Sequence, residues 1–472
     1  MSTTATRVAA APAAVPMERP GYRLTEALLL VPAVAIGALA YAQAELARSG
    51  ALPQDYWAWL AVGVLAALVA HASAQVLVPW SDQVLLPTVV ALNGLGLAVI
   101  YRLDLAARLD AGPSGEPPRG LAAVDQVVWT WLGVGLFVLV LVVVREPRWL
   151  QRFTYTAMLL GLALLVLPLV PRLGVTINGA RIWVRAAGLS FQPAEIAKLV
   201  LIVFFAGYLV IKRDVLSLAR SRVLGIDLPR GRDLGPILGV WLVSVAVLVF
   251  ERDLGTSVLF FGLFVAMLYV ATERVGWLVI GGLLAAVGVG LGYLLFGHVR
   301  TRFEVWLHPF ADATNTGYQS VQALYGMADG GILGSGIAQG HPDLVPYANS
   351  DFIAATIGEL LGVTGFMAML MLYAVVVARG LSISLSARDP FGRLLAFGLA
   401  FVLGLQVFVV VGGVTNLIPL TGLTTPFLSA GGSSLVANWA LIALLLRVSD
   451  DARRPVLAPV ALDQAETQVI RR

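Results

Sequence analysis

Apolar residues run along this chain in blocks separated by short polar or Gly/Pro-rich breaks, with no sustained two-residue alternation. A helix needs roughly 20 apolar residues to cross a bilayer. On that measure the blocks predict helices near 25–45, 57–79, 83–101, 126–144, 153–171, 194–211, 234–251, 256–272, 276–296, 352–378, 393–414 and 433–447. The expected fold is an all-α polytopic membrane protein of about twelve transmembrane helices, with no soluble domain. The largest polar interruption is the stretch 297–351, which holds three of the four histidines (His298, His308, His341) together with Asp312, Asp329, Asp343 and Asp351. Loops of this length tend to carry function.

Composition agrees with the blocks. Hydrophobic residues make up 58% of the 472 and charged residues 13%, and the mean hydropathy is +0.85. Soluble domains carry roughly 25% charge. With no cysteine, disulfide and thiolate chemistry are excluded. The net charge of +4 is small and tracks the loops, so it speaks for topology and against nucleic-acid binding. Basic clusters lie at Arg145 to Arg152, at Lys212 to Arg232, at Arg379 to Arg393 and in the tail at Arg447, Arg453 and Arg454. The positive-inside bias makes these cytoplasmic, with both termini inside, and puts 102–125, 172–193, 297–351 and 415–432 outside. Residues 1–22 are Ala/Pro/Thr-rich without an apolar core, so they read as a disordered cytoplasmic tail rather than a signal peptide. The tail 449–472 closes the chain on the same side.

Several polar groups interrupt the apolar blocks. Glu195 and Lys198 fall three apart on one helix face just after Pro193, with Lys198 only about 6 Å below the helix start. Charges within a membrane are costly, and their default reading is functional. The opposing reading is a structural ion pair with Lys198 reaching back to the interface. Before it, GVTINGARIWVRAAGLSFQP offers Arg181 and Arg185, whose guanidinium forks suit phosphate. An interfacial segment anchored by Trp183 explains the same residues equally well. Glu251-Arg252-Asp253 is a very short connection, either lining a wet cavity or capping the next helix through Asp253 or Thr256. Glu359 sits roughly 10 Å into its helix, too deep for a cap.

In the long loop, Asp312 follows Pro309-Phe310-Ala311 and precedes Gly317-Tyr318-Gln319. A carboxylate there can act as a general base on a hydroxyl within reach, although a loop aspartate is more often a solvated turn former. The histidines lack metal-ligand spacing, leaving a metal site weakly supported. Finally, LIPLTGLTTPFLSAGGSS (417–434) reads as a re-entrant or outer loop beside a polar cavity, with Ser433 as a candidate substrate contact. It lacks the spacing of a phosphate-binding loop or dinucleotide fingerprint.

Taken in order, GARIWVRAAGLSFQPAEIAKL, RDLGT, WLHPFADATNTGYQSVQALYGMADGGILGSG, NSDFIAATIGELLGVTG and LIPLTGLTTPFLSAGGSS resemble the motifs of the SEDS family (RodA, FtsW, SpoVE) over roughly residues 83–447. The resemblance implies a core of about ten helices over 81–448, preceded by an extra helix pair at 23–80. It implies a peptidoglycan glycosyltransferase that polymerises lipid II and works with a class B penicillin-binding protein. Asp312 occupies the place of the family's essential aspartate, and Glu195 and Lys198 match its Glu and Lys. Arg181, Asp253, Glu359 and Ser433 complete the expected substrate-binding set, and the only cofactor the chemistry suggests is a divalent cation. The chain departs from the family at Glu251-Arg252, where Gln-Pro is usual, at Ala430 and at Asn416. Composition and tail resemble an actinobacterial elongation member more than a division FtsW. A lipid II transporter and a non-catalytic scaffold are the competing classes. No clear inverted repeat supports the first, and the second leaves the long polar loop without a purpose.

The orientation is open to a direct check. In this cysteine-free chain, Asn315→Cys should react with an impermeant thiol reagent on intact cells. Labelling that requires lysis would reverse the assignment.

Overall fold

The computed structural model describes residues 23–110, 121–177, 180–186, 189–217, 221–223, 226–228, 239, 241–246, 249–251 and 253–455. Among them, ten helices are long and apolar enough to cross a membrane. These are α1 (Leu24–Ser49), α2 (Tyr56–Leu77), α3 (Leu85–Asp110), α4 (Ala122–Val143), α7 (Pro193–Ser217), α8 (Leu254–Thr272), α9 (Gly276–Leu295), α12 (Ile353–Ser386), α13 (Pro390–Val414) and α14 (Gly432–Arg453). Short helices α5 (Pro147–Gln151), α6 (Thr154–Val166), α10 (Gly297–Leu307) and α11 (Tyr318–Gly330) join them. The chain is a multi-pass membrane protein.

The bounds of some predicted helices shift in the structure. The block at 153–171 makes only α6 and one 3-10 turn to Leu169, because Pro168 removes a backbone donor and ends the helix. The block at 234–251 is described only in part, and the N-terminal tail 1–22 lies outside the described residues. The all-α membrane fold carries only a few short strands outside its helices. Strands β1 (Gly174–Ile177), β2 (Ala180–Ala186) and β3 (Leu189–Phe191) form an antiparallel sheet in register Val175↔Trp183 and Val184↔Phe191. A small hairpin, β4 (Ser221–Val223) with β5 (Ile226–Leu228), lies within the basic loop. The last helix runs to Arg453, past the expected end at 447.

Membrane helices gain little from the hydrophobic effect against one another and rely on close backbone approach at small residues. That rule is visible here. Gly37 of α1 meets Gly94 of α3, where an added Cβ would lie 2.9 Å from the opposing Cα. Gly133 of α4 receives the buried Trp439 of α14, 2.5 Å from where a Cβ would stand. The first contact seats α1 of the extra pair on α3, and the second seats α4 on α14.

Irregular backbone is tolerated at membrane depth only where protein satisfies it. Two segments show how this is done. Gly362 breaks α12 at φ 65 and ψ −170, and the glycine-rich stretch after α11 fills the gap. Ser335 and Gly336 donate to the freed carbonyls of Glu359 and Leu360, while Val363 and Thr364 donate to Gly331 and Ile332. Similarly, the 415–431 loop dips into the bundle until Phe427 and Leu428 are buried. Its carbonyls are taken up by side chains: Gln406 donates to Thr424, Gln126 to Ser429, and the Tyr373 hydroxyl to Pro426.

At the opposite end Asp82 is a hub. It caps α3, accepts from Arg453 at 2.8 Å and faces Arg379 at 3.7 Å, tying the first core helix to the last.

Gly362 sets the prediction for this architecture. Its backbone is in a region essentially reserved for glycine, and a Cβ would lie 2.3 Å from the Gly334 nitrogen. Gly362→Ala should cost about 2–4 kcal/mol, read as a lower thermal midpoint of the detergent-purified protein. An unchanged midpoint would show that the break is not a fixed part of the fold.

Candidate active site

The polar site begins at the start of α7. Pro193 occupies the first turn, where its missing N–H costs nothing, and helical spacing places Glu195 and Lys198 on one face. Lys198 is 2% exposed and bonds Glu195 Oε2 at 2.8 Å and Gln406 Oε1 of α13 at 2.9 Å. It therefore does not reach back to the interface. Gln406 passes the connection on through Nε2 to the Thr424 carbonyl at 2.9 Å.

Residues expected from separate motifs meet one turn away. The Gln192 N–H donates to Ser433 Oγ at 2.8 Å, and Gln192 Nε2 faces Asp253 Oδ2 at 3.4 Å. Asp253 caps α8, accepting from the Thr256 N–H at 2.9 Å and its hydroxyl at 2.7 Å. Burial pushes the Asp253 carboxyl above its ordinary range, opposed by these Thr256 bonds and raised further by Glu195. Ser433, Asp253, Glu195 and Lys198 thus form one cluster, joined by Gln192 and Gln406.

Two further members come from the long polar stretch. Arg302 of α10 donates to the Leu420 carbonyl at 2.7 Å and faces both Asp253 and Asp351. Its head group and the Asp351 carboxylate flank Gly422, 3.7 and 3.8 Å from where a Cβ would stand. Burial lowers the Arg302 pKa against the two carboxylates. Burial also raises Asp351 to about 6, with Arg302 opposing. In the sequence Asp351 is one of several aspartates of the long polar stretch and Arg302 is not singled out, because charges in a polar loop default to solvated and nothing local shows that Arg302 finds its partner 118 positions on.

Asp312 lies in the turn between α10 and α11, at the edge of a cleft of about 160 Å³ lined by Arg302, Trp306, Thr316, Gln319, Asn416 and Leu420. Its partly exposed carboxylate accepts from the Thr316 N–H at 3.1 Å, the Thr316 hydroxyl at 2.9 Å and Asn315 Nδ2 at 2.9 Å. These bonds hold its pKa below the ordinary carboxylate value, the Thr316 N–H contributing most. Asp312 is consequently an ionised, acceptor-only group at neutral pH. Trp306 and Asn416 close the cleft with reciprocal side-chain-to-backbone bonds of 3.0 and 3.2 Å.

Glu359 and Arg181 are placed elsewhere. The Glu359 carboxylate accepts the His341 N–H at 2.6 Å and braces the plug in the α12 break. Arg181 donates to the Val170 carbonyl at 3.1 Å, fastening the sheet to the turn before it. Among the described residues no three of His, Asp and Glu converge as a metal site.

Comparison with known proteins gives a consistent picture. The family model for the FtsW, RodA and SpoVE cell cycle proteins matches residues 83–454, leaving α1 and α2 outside it. The chain is 46% identical over 447 residues to the peptidoglycan glycosyltransferase RodA of Mycobacterium tuberculosis, covering 94% of each. It is 47% identical to the same protein of Mycobacterium leprae over 85% of this chain and 86% of that one. Among solved structures it resembles a chain of a peptidoglycan synthase complex that coordinates polymerisation and crosslinking (28% identity, TM-score 0.62, covering 79% of this chain and 99% of that one). It also resembles the rod shape determining protein RodA of Thermus thermophilus (26%, TM-score 0.54, 80% and 98%).

The buried pair and the buried carboxyl each yield a prediction. Lys198→Ala leaves Glu195 uncompensated at a cost of about 3–5 kcal/mol, whereas Glu195→Ala/Lys198→Ala should recover much of it. Thermal melts of the three variants measure this, and a double variant as unstable as the single would contradict a pair held by mutual charge. For Asp351, a folded pKa near 6 lies above that of the unfolded carboxyl, so its stabilising contribution is complete below about pH 4 and is lost as pH rises through 6. Asp351→Asn should abolish that component of the melting profile. A profile identical to wild type between pH 4 and 7 would contradict it.

Proposed function

Because the chain belongs to the FtsW/RodA/SpoVE family, we propose that it is a peptidoglycan glycosyltransferase that polymerises lipid II at the cleft beside Asp312. The observation that supports this reading is that Arg302 and Thr316 line one cleft, with Thr316 holding the ionised Asp312 at its edge.

Chain growth joins the 4-hydroxyl of one saccharide to the anomeric carbon of another that is carried on undecaprenyl pyrophosphate. Asp312 accepts the hydroxyl proton as the new C–O bond forms, and the bond to the pyrophosphate breaks. Its low proton affinity in the free enzyme reflects bonds to Thr316 and Asn315 that an incoming hydroxyl displaces in part; such bonds commonly rearrange when substrate binds. Arg302 offsets the charge on the departing pyrophosphate. Lys198, Glu195, Asp253 and Ser433 hold the floor of the site, and Arg181 and Glu359 keep its surrounding loops in place. The lipid tails stay in the bilayer, so the donor enters sideways between helices, already activated.

The RodA relatives favour a role in cell elongation and shape over division. The peptidoglycan synthase complex supports a class B penicillin-binding transpeptidase as partner. Both termini are cytoplasmic in this reading. A transporter would need its intramembrane charges free to exchange partners, whereas Lys198 is held by Glu195 and Gln406.

The test is polymer formation from lipid II by purified protein in detergent, where flipping has no meaning. Asp312→Asn should lose about 10²–10⁴ in rate while remaining monodisperse. Asp343→Asn, exposed and outside the cleft, should stay near wild type. Near-normal polymerisation by well-folded Asp312→Asn would remove Asp312 from the chemistry.

A further inference from the structure

The extra helix pair creates a second site that the reaction does not use. An apolar groove runs between α1–α2 and α3–α4, lined by small residues such as Gly37, Gly63 and Gly94 and walled by Trp59 and Trp131. It opens, through Tyr41 and Trp59, into a polar mouth of about 400 Å³. Arg102, one residue beyond Tyr101 on α3, bonds the Ile337 carbonyl at 2.9 Å, so the mouth is at the same end of the bundle as the Asp312 cleft.

The mouth has a definite chemistry. Tyr41 stacks with Tyr56 and Trp59 at centroid distances of 5.8 and 5.6 Å and meets Tyr101 at 4.5 Å. Aromatic faces gathered in this way attract cations. Among the described residues, Glu45, Asp55 and Asp104 stand around them with Arg108. Three carboxylates against one guanidinium disfavour an anionic head group and favour one with N–H donors. Deeper in the groove, Asn93 is 8% exposed and gives its Nδ2 to Thr130 at 3.3 Å, while its Oδ1 has no donor among the described residues. A plain helix-packing seam rarely buries such an oxygen, and water entering with a guest satisfies it.

We propose that α1–α4 bind a membrane lipid whose head group carries a primary ammonium, with a chain lying along the groove and the ammonium in the aromatic, acidic mouth. Arg108 receives the phosphate of such a head group. The site rests on no step of the polymerisation reaction.

Native mass spectrometry of the full-length, delipidated protein tests it, with phosphatidylethanolamine and phosphatidylglycerol of identical chains as probes. Phosphatidylethanolamine should be retained roughly five- to thirtyfold more strongly. Trp59→Ala should cut that retention at least about fivefold. Asp55→Asn, at an exposed position where folding is not at stake, should do the same, with phosphatidylglycerol unaffected. Equal retention of the two lipids, or an ethanolamine preference that survives both substitutions, would overturn the proposal. Displacement by soluble phosphoethanolamine alone would overturn its lipid part.

Discussion

Lys198 is a charge that the bilayer would not accept on its own, and the way it is held determines much of the site. Inside a membrane a charge or a bare peptide group persists only with a partner. Lys198 takes Glu195 from its own helix and Gln406 from α13, and Gln406 in turn holds the carbonyl of Thr424. One charged group thus anchors the re-entrant loop against two helices. The loop, so held, presents Leu420 to Arg302 and Asn416 to Trp306, which places α10 and the turn carrying Asp312.

This arrangement divides the work between a fixed floor and a reactive rim. Floor residues are buried and bonded to one another, so they set positions. At the rim, Arg302 lines the cleft as a partly buried cation, Asp312 stands at its edge as an ionised acceptor held by Thr316, and Asp351 lies beside Arg302 at Gly422. A lipid-linked donor suits such a site because it brings its own leaving group and remains in the membrane. The same solution, satisfying broken backbone from elsewhere in the chain, recurs where Ser335 and Gly336 plug α12 at Gly362.

The spans were legible in the sequence because twenty-residue apolar blocks have few alternatives in a chain this hydrophobic. Asp312, Glu195 and Lys198 were legible as motif residues, and the short spacing of the last two already implied contact. Arg302 and Asp351 were not, since their importance comes from distant segments of the chain meeting at Gly422. Glu359 shows the reverse limit. Its depth in a helix signalled function, yet its partner is the backbone of His341. The β1–β3 sheet was hidden because Val175, Trp183 and Val184 fit an interfacial segment as well as a strand. The mouth beside α1 was unreadable for the same reason as Arg302: Tyr41, Trp59 and Tyr101 belong to three different blocks.

The central claim is that Asp312 acts on a substrate which Arg302 and the cluster beneath it hold. Equilibrium binding of lipid II to purified Asp312→Asn and Arg302→Gln, each compared with wild type, separates holding from reacting. The account predicts near-wild-type affinity for Asp312→Asn and clearly weakened affinity for Arg302→Gln. Equal loss of binding in both, or full binding by Arg302→Gln, would contradict it.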